Sequence, residues 1–200
     1  MLNAFYKTHN YLVEHVRVPA RRVLMDEINW SDRLIAIKGG RGVGKTDFLL
    51  NYAKEMRVKN PELAKHTLYV NLSDFYFTEH TLVELAAEFV AGGGQVLLID
   101  QAYKYPNWSR ELAQCYYRYP NLRIVFIATA VMRVVEDNKD IGHIVRPYNL
   151  RGFSFREYLN VTLGLKLPVY TLEDILKNHV EIAQQISRHI KPLDYFNDYL

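Results

Sequence analysis

Residues 34–46 read Leu34-Ile-Ala-Ile-Lys38-Gly39-Gly-Arg-Gly-Val-Gly44-Lys45-Thr46. The last eight of these residues match the pattern G-x-x-x-x-G-K-[ST] in full. An apolar run precedes the glycines and a stretch with helical spacing follows them. Glycines let successive backbone N–H groups point inward at phosphate oxygens, and the start of the following helix adds its positive end. The stretch therefore predicts a phosphate-binding loop between a strand and a helix.

The residues of this loop have separate expected roles. Lys45 is expected to reach the β- and γ-phosphates of a nucleotide, and Thr46 Oγ1 is expected to be one ligand of Mg²⁺, a hard cation that takes few protein oxygens. Asp47 carries a negative charge near the phosphates, which is tolerable if its side chain turns outward. The alternative is a glycine-rich turn without a ligand. The expected nucleotide contacts are Gly39, Gly40, Arg41, Gly42, Val43, Gly44, Lys45, Thr46 and Asp47.

A second signal is the run Val96-Leu-Leu-Ile99-Asp100, in which four apolar residues end in an acid. In a parallel sheet such a run is a buried strand whose carboxyl end lies beside the phosphate loop. Asp100 is then expected to hold Mg²⁺ through its water shell. The predicted metal site therefore consists of Thr46 and Asp100, with a solvated strand end as the alternative for Asp100.

Strand and helix patterns alternate along most of the chain, which is typical of an α/β protein with a parallel sheet. The helical stretches are Lys45–Arg57, Thr81–Ala91 and Asn107–Tyr119. We therefore predict a three-layer α/β fold with a five-stranded, mostly parallel sheet. The five expected strands are Leu34–Lys38, Thr67–Asn71, Val96–Asp100, Arg123–Ala128 and Val145–Leu150.

The pattern changes after about Gly152, where helices follow one another without strands between them. The box Ser154-Phe-Arg-Glu157 predicts a helix start, and Thr171–Asn178, His179–Ile190 and Pro192–Leu200 also have helical spacing. The last of these has just begun when the sequence stops. We expect either that it docks on its own domain or that the sequence is truncated.

Composition places the chain among globular proteins. Of 200 residues, 49% are hydrophobic and 24% are charged, close to the globular average and far from disordered chains. One cysteine, Cys115, excludes an internal disulfide and a multi-cysteine metal site. No apolar stretch is long enough to span a bilayer, and the polar start has no signal-peptide core. We therefore expect a cytoplasmic protein without a membrane partner.

The charge distribution bears on nucleic-acid binding. The formal net charge is +3, and residues 1–24 contribute four basic residues and one acidic residue. The rest of the chain is therefore neutral. A neutral body with a mildly basic leader is a weak electrostatic signature of nucleic-acid binding. Charge therefore does not support a nucleic-acid partner, although such a partner stays open.

Besides the glycine loop and Asp100, four strings are informative. They are Asp26-Glu-Ile-Asn-Trp30, Asn71-Leu-Ser-Asp-Phe-Tyr-Phe-Thr-Glu-His80, Lys104-Tyr-Pro-Asn-Trp108 and Gly152-Phe-Ser-Phe-Arg-Glu157. With them, nearly the whole chain resembles the bacterial and archaeal AAA-type ATP-binding family, whose full-length members add a winged-helix region and a nuclease-like C-terminal domain. The resemblance implies ATP and Mg²⁺ as ligands. It also implies a P-loop sheet of the ASCE type. In such a sheet we expect the Walker B strand, ending in Asp100, to lie beside the strand of the phosphate loop although the two are not adjacent in sequence.

The change of pattern near residues 150–152 predicts a domain boundary, and the resemblance suggests what lies on each side of it. Residues 1–151 are expected to form the AAA-type nucleotide-binding domain, with residues 1–32 as a leader that packs near the base site. Asn29, Trp30 and Arg22 lie just ahead of the first strand, where AAA-type domains often hold the base. Residues 152–200 are expected to form a helical, lid-like region.

The sequence departs from the family where hydrolysis takes place. The family usually has Asp-Glu at the end of the Walker B strand, and here Gln101 follows Asp100. A glutamine amide orients water but accepts no proton, so the catalytic base is lost. The family's histidine two residues further on is replaced by Tyr103. At the end of the next strand the family has polar residues that serve as a γ-phosphate sensor. Here Thr129 retains that polar character, whereas Ala130 does not.

The resemblance implies an arginine pair just before the final strand. These arginines would act as a finger on the nucleotide of a neighbouring subunit. By ungapped count these positions hold His143 and Ile144. Arg133 or Arg146 are the candidates to substitute, and nothing in the sequence selects either. An arginine finger is worth about 10³–10⁵ in rate, so its loss also predicts weak hydrolysis.

Two functions follow. The first is an ATP·Mg²⁺-binding, nucleotide-gated interaction module with slow or absent hydrolysis and an unknown protein partner. The second is an active AAA-type ATPase coupled to a protein or nucleic-acid partner, with a base supplied by Asp74 or Glu79. Oligomerisation is open in both. A GTPase is disfavoured because Asn138-Lys-Asp140 lacks the spacer of a guanine-reading motif.

Overall fold

The computed structural model describes residues 2–200, which divide into two compact units. The first unit contains residues 2–18 and 23–151, and the second contains residues 19–22 and 152–200. The sheet and the phosphate loop lie in the first unit. The second unit is built of helices and turns.

Five strands form one parallel sheet, which confirms the predicted fold class. The spatial order is β2-β3-β4-β1-β5 and every pairing is parallel. The last two strands end slightly earlier than predicted. The strands are β1 (Leu34–Lys38), β2 (Thr67–Asn71), β3 (Val96–Asp100), β4 (Arg123–Ile127) and β5 (Arg146–Asn149).

One expected strand neighbour is wrong. The strand that ends in Asp100 does not lie beside the strand of the phosphate loop, because β4 lies between them. Ile124 of β4 is in register with Leu34 of β1 on one side and with Leu97 of β3 on the other. β1, β3 and β4 are almost equally apolar and buried, so their own sequences carry no information about which strands pair.

Helices cover both faces of the sheet. The helices of the first unit are α1 (Leu2–His15), α2 (Leu24–Glu27), α3 (Lys45–Lys59), α4 (Pro61–Lys65), α5 (Leu82–Ala91) and α6 (Trp108–Arg118). The helix after the loop is two residues longer than predicted. The predicted capping box at α5 is present, since Thr81 Oγ1 accepts from the Glu84 N–H and Glu84 accepts from the Thr81 N–H.

The core consists of two apolar clusters, one on each face of the sheet. On one face Leu97 and Phe126 pack with residues of α5 and α6, such as Phe89. On the other face Leu98 and neighbouring strand residues pack with α3 and α1. Side chains alternate between the two faces along each strand. Each face therefore packs against its own helices, which gives three layers: helices, sheet and helices.

The first helix, which the sequence did not reveal, covers the edge strand β2. His9 of α1 is buried, and its Nδ1 accepts a hydrogen bond from the Tyr69 N–H at 3.1 Å. Edge strands leave such N–H groups without a partner strand. α1 therefore satisfies part of the sheet edge and closes the core on this side.

The second unit contains α7 (Phe155–Leu163), α8 (Leu172–His189) and α9 (Phe196–Tyr199). The predicted Ser154–Glu157 capping box is present. The two helices expected over 171–190 form one element with a non-helical residue, Asn178, where they were expected to meet. Tyr199 OH donates to the Phe153 carbonyl at 2.8 Å, so the last helix docks within its own unit. None of the helices within residues 2–200 is both long and apolar enough to cross a membrane.

Candidate functional site

The loop between β1 and α3 has the backbone shape that its glycines predict. Gly42 and Gly44 have φ of 83° and 85°, a left-handed conformation that side chains rarely adopt. Gly44 is the residue immediately before α3. The N–H groups of the first helical turn have no partner within the helix, so those of Lys45 and Thr46 are donors available to an anion.

Lys45 lies over the loop that precedes it. Its Nζ donates to the carbonyl oxygens of Gly39 at 2.9 Å and Gly40 at 2.6 Å. An ammonium group has three donors, which leaves one for a ligand. Burial lowers the pKa of Lys45, and the Asp100 charge opposes that shift. The loop thus holds a cation at the place where the sequence predicts phosphate contact.

The two predicted metal ligands are brought together. Thr46 Oγ1, at the start of α3, donates to Asp100 Oδ2 at 2.6 Å, across 54 residues of sequence. Asp100 is 2% exposed at the carboxyl end of β3. A hydroxyl and a carboxylate at this distance form the kind of hard-oxygen pair that Mg²⁺ uses in proteins.

Asp100 has two further donors that the sequence analysis did not identify. Tyr69 OH, on the neighbouring strand β2, donates to Asp100 Oδ2 at 3.0 Å, and the Gln101 N–H donates to Oδ1 at 2.6 Å. Burial, together with the Asp100 charge, raises the pKa of Tyr69. A signal existed, since a tyrosine within the buried run Thr67–Asn71 needs a partner for its hydroxyl.

Gln101 occupies a strained position directly after β3. Its φ is 57°, which is uncommon for a residue with a side chain. Its Oε1 is buried and has no hydrogen-bond partner within residues 2–200. A buried acceptor without a donor is costly and therefore rare, so this oxygen is available to a ligand or a water molecule.

A cleft of about 810 Å³ lies at the carboxyl ends of the central strands. It is lined by the phosphate loop, Asp100 and Gln101, but not by Tyr69. Thr129, just after β4, is half-buried and lines the same cleft. Asp47 also lines it and is exposed. The lining residues are Gly39, Gly40, Arg41, Gly42, Gly44, Lys45, Thr46, Asp47, Asp100, Gln101, Tyr103, Lys104, Ile127, Thr129, Ala130 and Val131.

The family model described as "AAA domain" (AAA_14) matches residues 31–159, well over half of the chain. The chain belongs to this AAA domain family. The assignment agrees with the resemblance found from the sequence strings, and it makes the protein an AAA-type nucleotide-binding domain.

The solved structures similar to this AAA domain include the following two. Domain III of the Thermotoga maritima replication initiation protein DnaA has a TM-score of 0.50 at 16% identity, covering 88% of this chain and 76% of that one. C. elegans PCH-2 has a TM-score of 0.45 at 18% identity, covering 84% of this chain and 50% of that one, so this chain spans about half of it. No curated protein matches the chain. The likeness to DnaA domain III shows the fold alone.

Several candidate residues of the AAA domain do not line the cleft. Val43 packs against the core instead. The alternative bases are also elsewhere: Asp74 caps the turn that follows β2 by accepting from the Tyr76 N–H at 2.9 Å, and Glu79 is exposed. His143 Nε2 and Tyr117 OH are joined by a hydrogen bond of 2.7 Å.

Neither of the candidate substitute arginines lines the cleft of the AAA domain. Arg133 follows β4 and Arg146 begins β5, and both are exposed. The cations that do line it are Arg41, Lys45 and Lys104. Of these, Lys104 was not among the candidates: it begins the string Lys104–Trp108, but that string is not a phosphate- or metal-binding pattern.

The residues expected near the base are engaged in other contacts. The Trp30 ring stacks on Tyr52 of α3 at 3.6 Å between centroids, and its Nε1–H donates to the Met25 carbonyl at 2.9 Å. The Asn29 N–H donates to Tyr148 OH at 3.1 Å. Arg22 belongs to the second unit, where its Nε is 3.2 Å from Glu157 Oε1. None of Arg22, Asn29 and Trp30 lines the cleft.

Proposed function

We propose that this AAA domain binds ATP with Mg²⁺ in the cleft, hydrolyses it slowly or not at all, and acts as a nucleotide-gated interaction module. The observation that carries the proposal is the contact between Thr46 Oγ1 and Asp100 Oδ2 at 2.6 Å, beside a glutamine in the position of the catalytic base. The residues expected to hold the phosphates and Mg²⁺ meet in the cleft, whereas a glutamine replaces the acid expected as the catalytic base.

The residues of the cleft fit a magnesium-bound nucleotide. The N–H groups at the start of α3 and the Lys45 ammonium suit phosphate oxygens, and the helix start adds its positive end. Thr46 and Asp100 offer the oxygen ligands that Mg²⁺ prefers, while a few protein ligands suffice because phosphates and waters complete its shell. When bound, Mg²⁺ would neutralise charge on the phosphate oxygens.

The acids of the cleft argue for weak hydrolysis. Among the described residues that line it, only Asp47 and Asp100 are acidic. Asp100 accepts three hydrogen bonds, and Asp47 is exposed. Gln101 offers an amide oxygen that has no hydrogen-bond partner among residues 2–200. Such an oxygen can orient a water molecule but has too little basicity to accept its proton. Losing a general base costs about 10²–10⁴ in rate.

The location of Asp74 and Glu79 outside the cleft favours this proposal over an active ATPase with a displaced base. The domain division stays a proposal too: residues 1–151 as the nucleotide-binding domain, with residues 1–32 as its leader, and residues 152–200 as a lid-like region. We also propose that the domain oligomerises, as AAA domains frequently do. A protein partner and a cytoplasmic location are further parts of the proposal.

An ATP titration in the presence of Mg²⁺, with parallel measurement of phosphate release, tests the proposal. We expect saturable ATP binding and a turnover far below about 1 s⁻¹, the lower end of typical enzyme turnover. Turnover at or above that value contradicts slow hydrolysis.

Lys45→Ala tests the location of the site. The variant removes the loop cation, so its ATP affinity is expected to fall by about tenfold or more, since a hydrogen bond to a charged group is worth roughly 1.5–3 kcal/mol. Lys38→Ala, in β1 outside the cleft, is the matched control and should bind as wild type does. Equal ATP affinity in Lys45→Ala and wild-type protein would remove the site assignment.

A further inference from the structure

Tyr69 is a polar residue in the middle of a buried strand. It is 4% exposed, and the strand residues Leu68 and Val70 on either side of it are buried aliphatics. Burying a hydroxyl without a hydrogen bond costs free energy, and an aliphatic residue would avoid that cost. The Tyr69 hydroxyl meets its partner at Asp100 Oδ2, 3.0 Å away.

The Tyr69 hydroxyl is one of three donors that fix the Asp100 carboxylate. Oδ2 accepts from Tyr69 OH and from Thr46 Oγ1, and Oδ1 accepts from the Gln101 N–H. The three donors come from β2, from α3 and from the backbone directly after β3. A carboxylate held from three directions has little freedom to rotate.

Tyr69 is itself held in place on both sides. Its N–H donates to His9 Nδ1 of α1 at 3.1 Å, and its strand pairs with β3 through Asn71 opposite Asp100. These contacts hold the backbone of β2 beside β3 and keep the Tyr69 hydroxyl within hydrogen-bond distance of Asp100 Oδ2.

We propose that Tyr69 is a positioning residue for the magnesium-bound nucleotide: its hydroxyl orients Asp100 and so sets the affinity of the cleft for ATP with Mg²⁺, and not for ATP alone. The inference rests on the proposed function. Partners that orient a metal ligand from outside the coordination shell are worth about 10–100-fold in metal affinity. Tyr69 itself touches neither phosphate nor metal in this scheme, since it does not line the cleft.

The test is the dissociation constant of ATP, measured with Mg²⁺ and again with a chelator, for wild-type protein and Tyr69→Phe. The variant keeps the ring and removes the hydroxyl. We expect the constant with Mg²⁺ to rise about tenfold, and the constant without Mg²⁺ to change by less than about twofold. An unchanged constant with Mg²⁺, or an equal rise in both constants, overturns the proposal.

Tyr105→Phe is the matched control. Tyr105 is also buried, and its hydroxyl donates to Glu111 Oε1 at 3.0 Å, so the control removes a tyrosine–carboxylate hydrogen bond outside the cleft. Its two dissociation constants should equal those of wild type. If Tyr69→Phe does not fold, Tyr69→Met is used under the same criteria, because methionine adapts to irregular apolar space. Wild-type protein that binds no ATP overturns both this inference and the proposed function, whereas normal wild-type binding with an unaffected variant overturns the inference alone.

Discussion

Gln101 combines a left-handed backbone with a buried side-chain oxygen that has no hydrogen-bond partner in the described part of the chain, at the position where the resemblance places a glutamate. Replacing it by glutamate adds a proton acceptor of nearly the same shape. We therefore expect Gln101→Glu to raise the rate of phosphate release by about 10²-fold or more, with ATP affinity changed little. Steady-state phosphate release and an ATP titration measure the two quantities.

The control for this substitution is Gln114→Glu, on the exposed side of α6. It adds the same charge outside the cleft and should leave the rate unchanged. If Gln101→Glu hydrolyses ATP no faster than wild type, the glutamine does not limit the rate of hydrolysis.

At the scale of elements, Gly39 sets how closely the loop approaches the end of β5. A methyl group added at Gly39 would lie 2.4 Å from the Leu150 carbonyl oxygen, which is backbone and cannot swing away. We expect Gly39→Ala to lower the free energy of unfolding by about 1–3 kcal/mol, as overpacking usually does. Urea unfolding measures the change.

Gly152→Ala is the comparison for that prediction. A methyl group at Gly152 would meet nothing within 4 Å, and its φ is not positive. Its free energy of unfolding should stay within about 0.5 kcal/mol of wild type, as for most surface substitutions. Equal stability of the two variants would mean that β5 yields to the methyl group.

At the scale of the whole molecule, His9 ties the acid stability of the fold to the docking of α1. Burial, with the Arg57 charge, lowers the pKa of His9 from 6.5 to about 4. Because the unfolded chain binds the proton more readily, the contribution of His9 to stability is complete above pH 6.5 and is lost as the pH falls toward 4. That difference corresponds to roughly 3 kcal/mol.

We expect His9→Gln, which keeps a side-chain acceptor for the Tyr69 N–H and does not titrate, to lose less stability than wild type between pH 7 and pH 4. Urea unfolding over this pH range measures the loss. His179→Gln, at an exposed position of α8, should follow the wild-type profile. Parallel profiles for wild type and His9→Gln would show that His9 does not carry the acid sensitivity.

Much of this fold could be predicted from the sequence, because the relevant signals are local. The run Leu34–Lys38 and the glycines after it specify a strand, a turn and a helix start within thirteen residues. The pairing of Thr46 with Asp100 followed from one general property, that parallel strands end at the same edge. The strand order could not be predicted, because it depends on which apolar strands pair. For the same reason a tyrosine in the buried run Thr67–Asn71 indicates a hydroxyl that needs a partner, but not that this partner is Asp100.

The two tryptophans lie on opposite faces of the sheet. Trp30 stacks on Tyr52 of α3, and Trp108 packs against Phe126 at 5.7 Å between centroids, on the face that α5 and α6 cover. With no other indole in the chain, the tryptophan fluorescence has two sources, one on each face of the sheet. Replacing either indole by phenylalanine leaves an optical probe of the other layer, so the two halves of the core are separately visible without an added label.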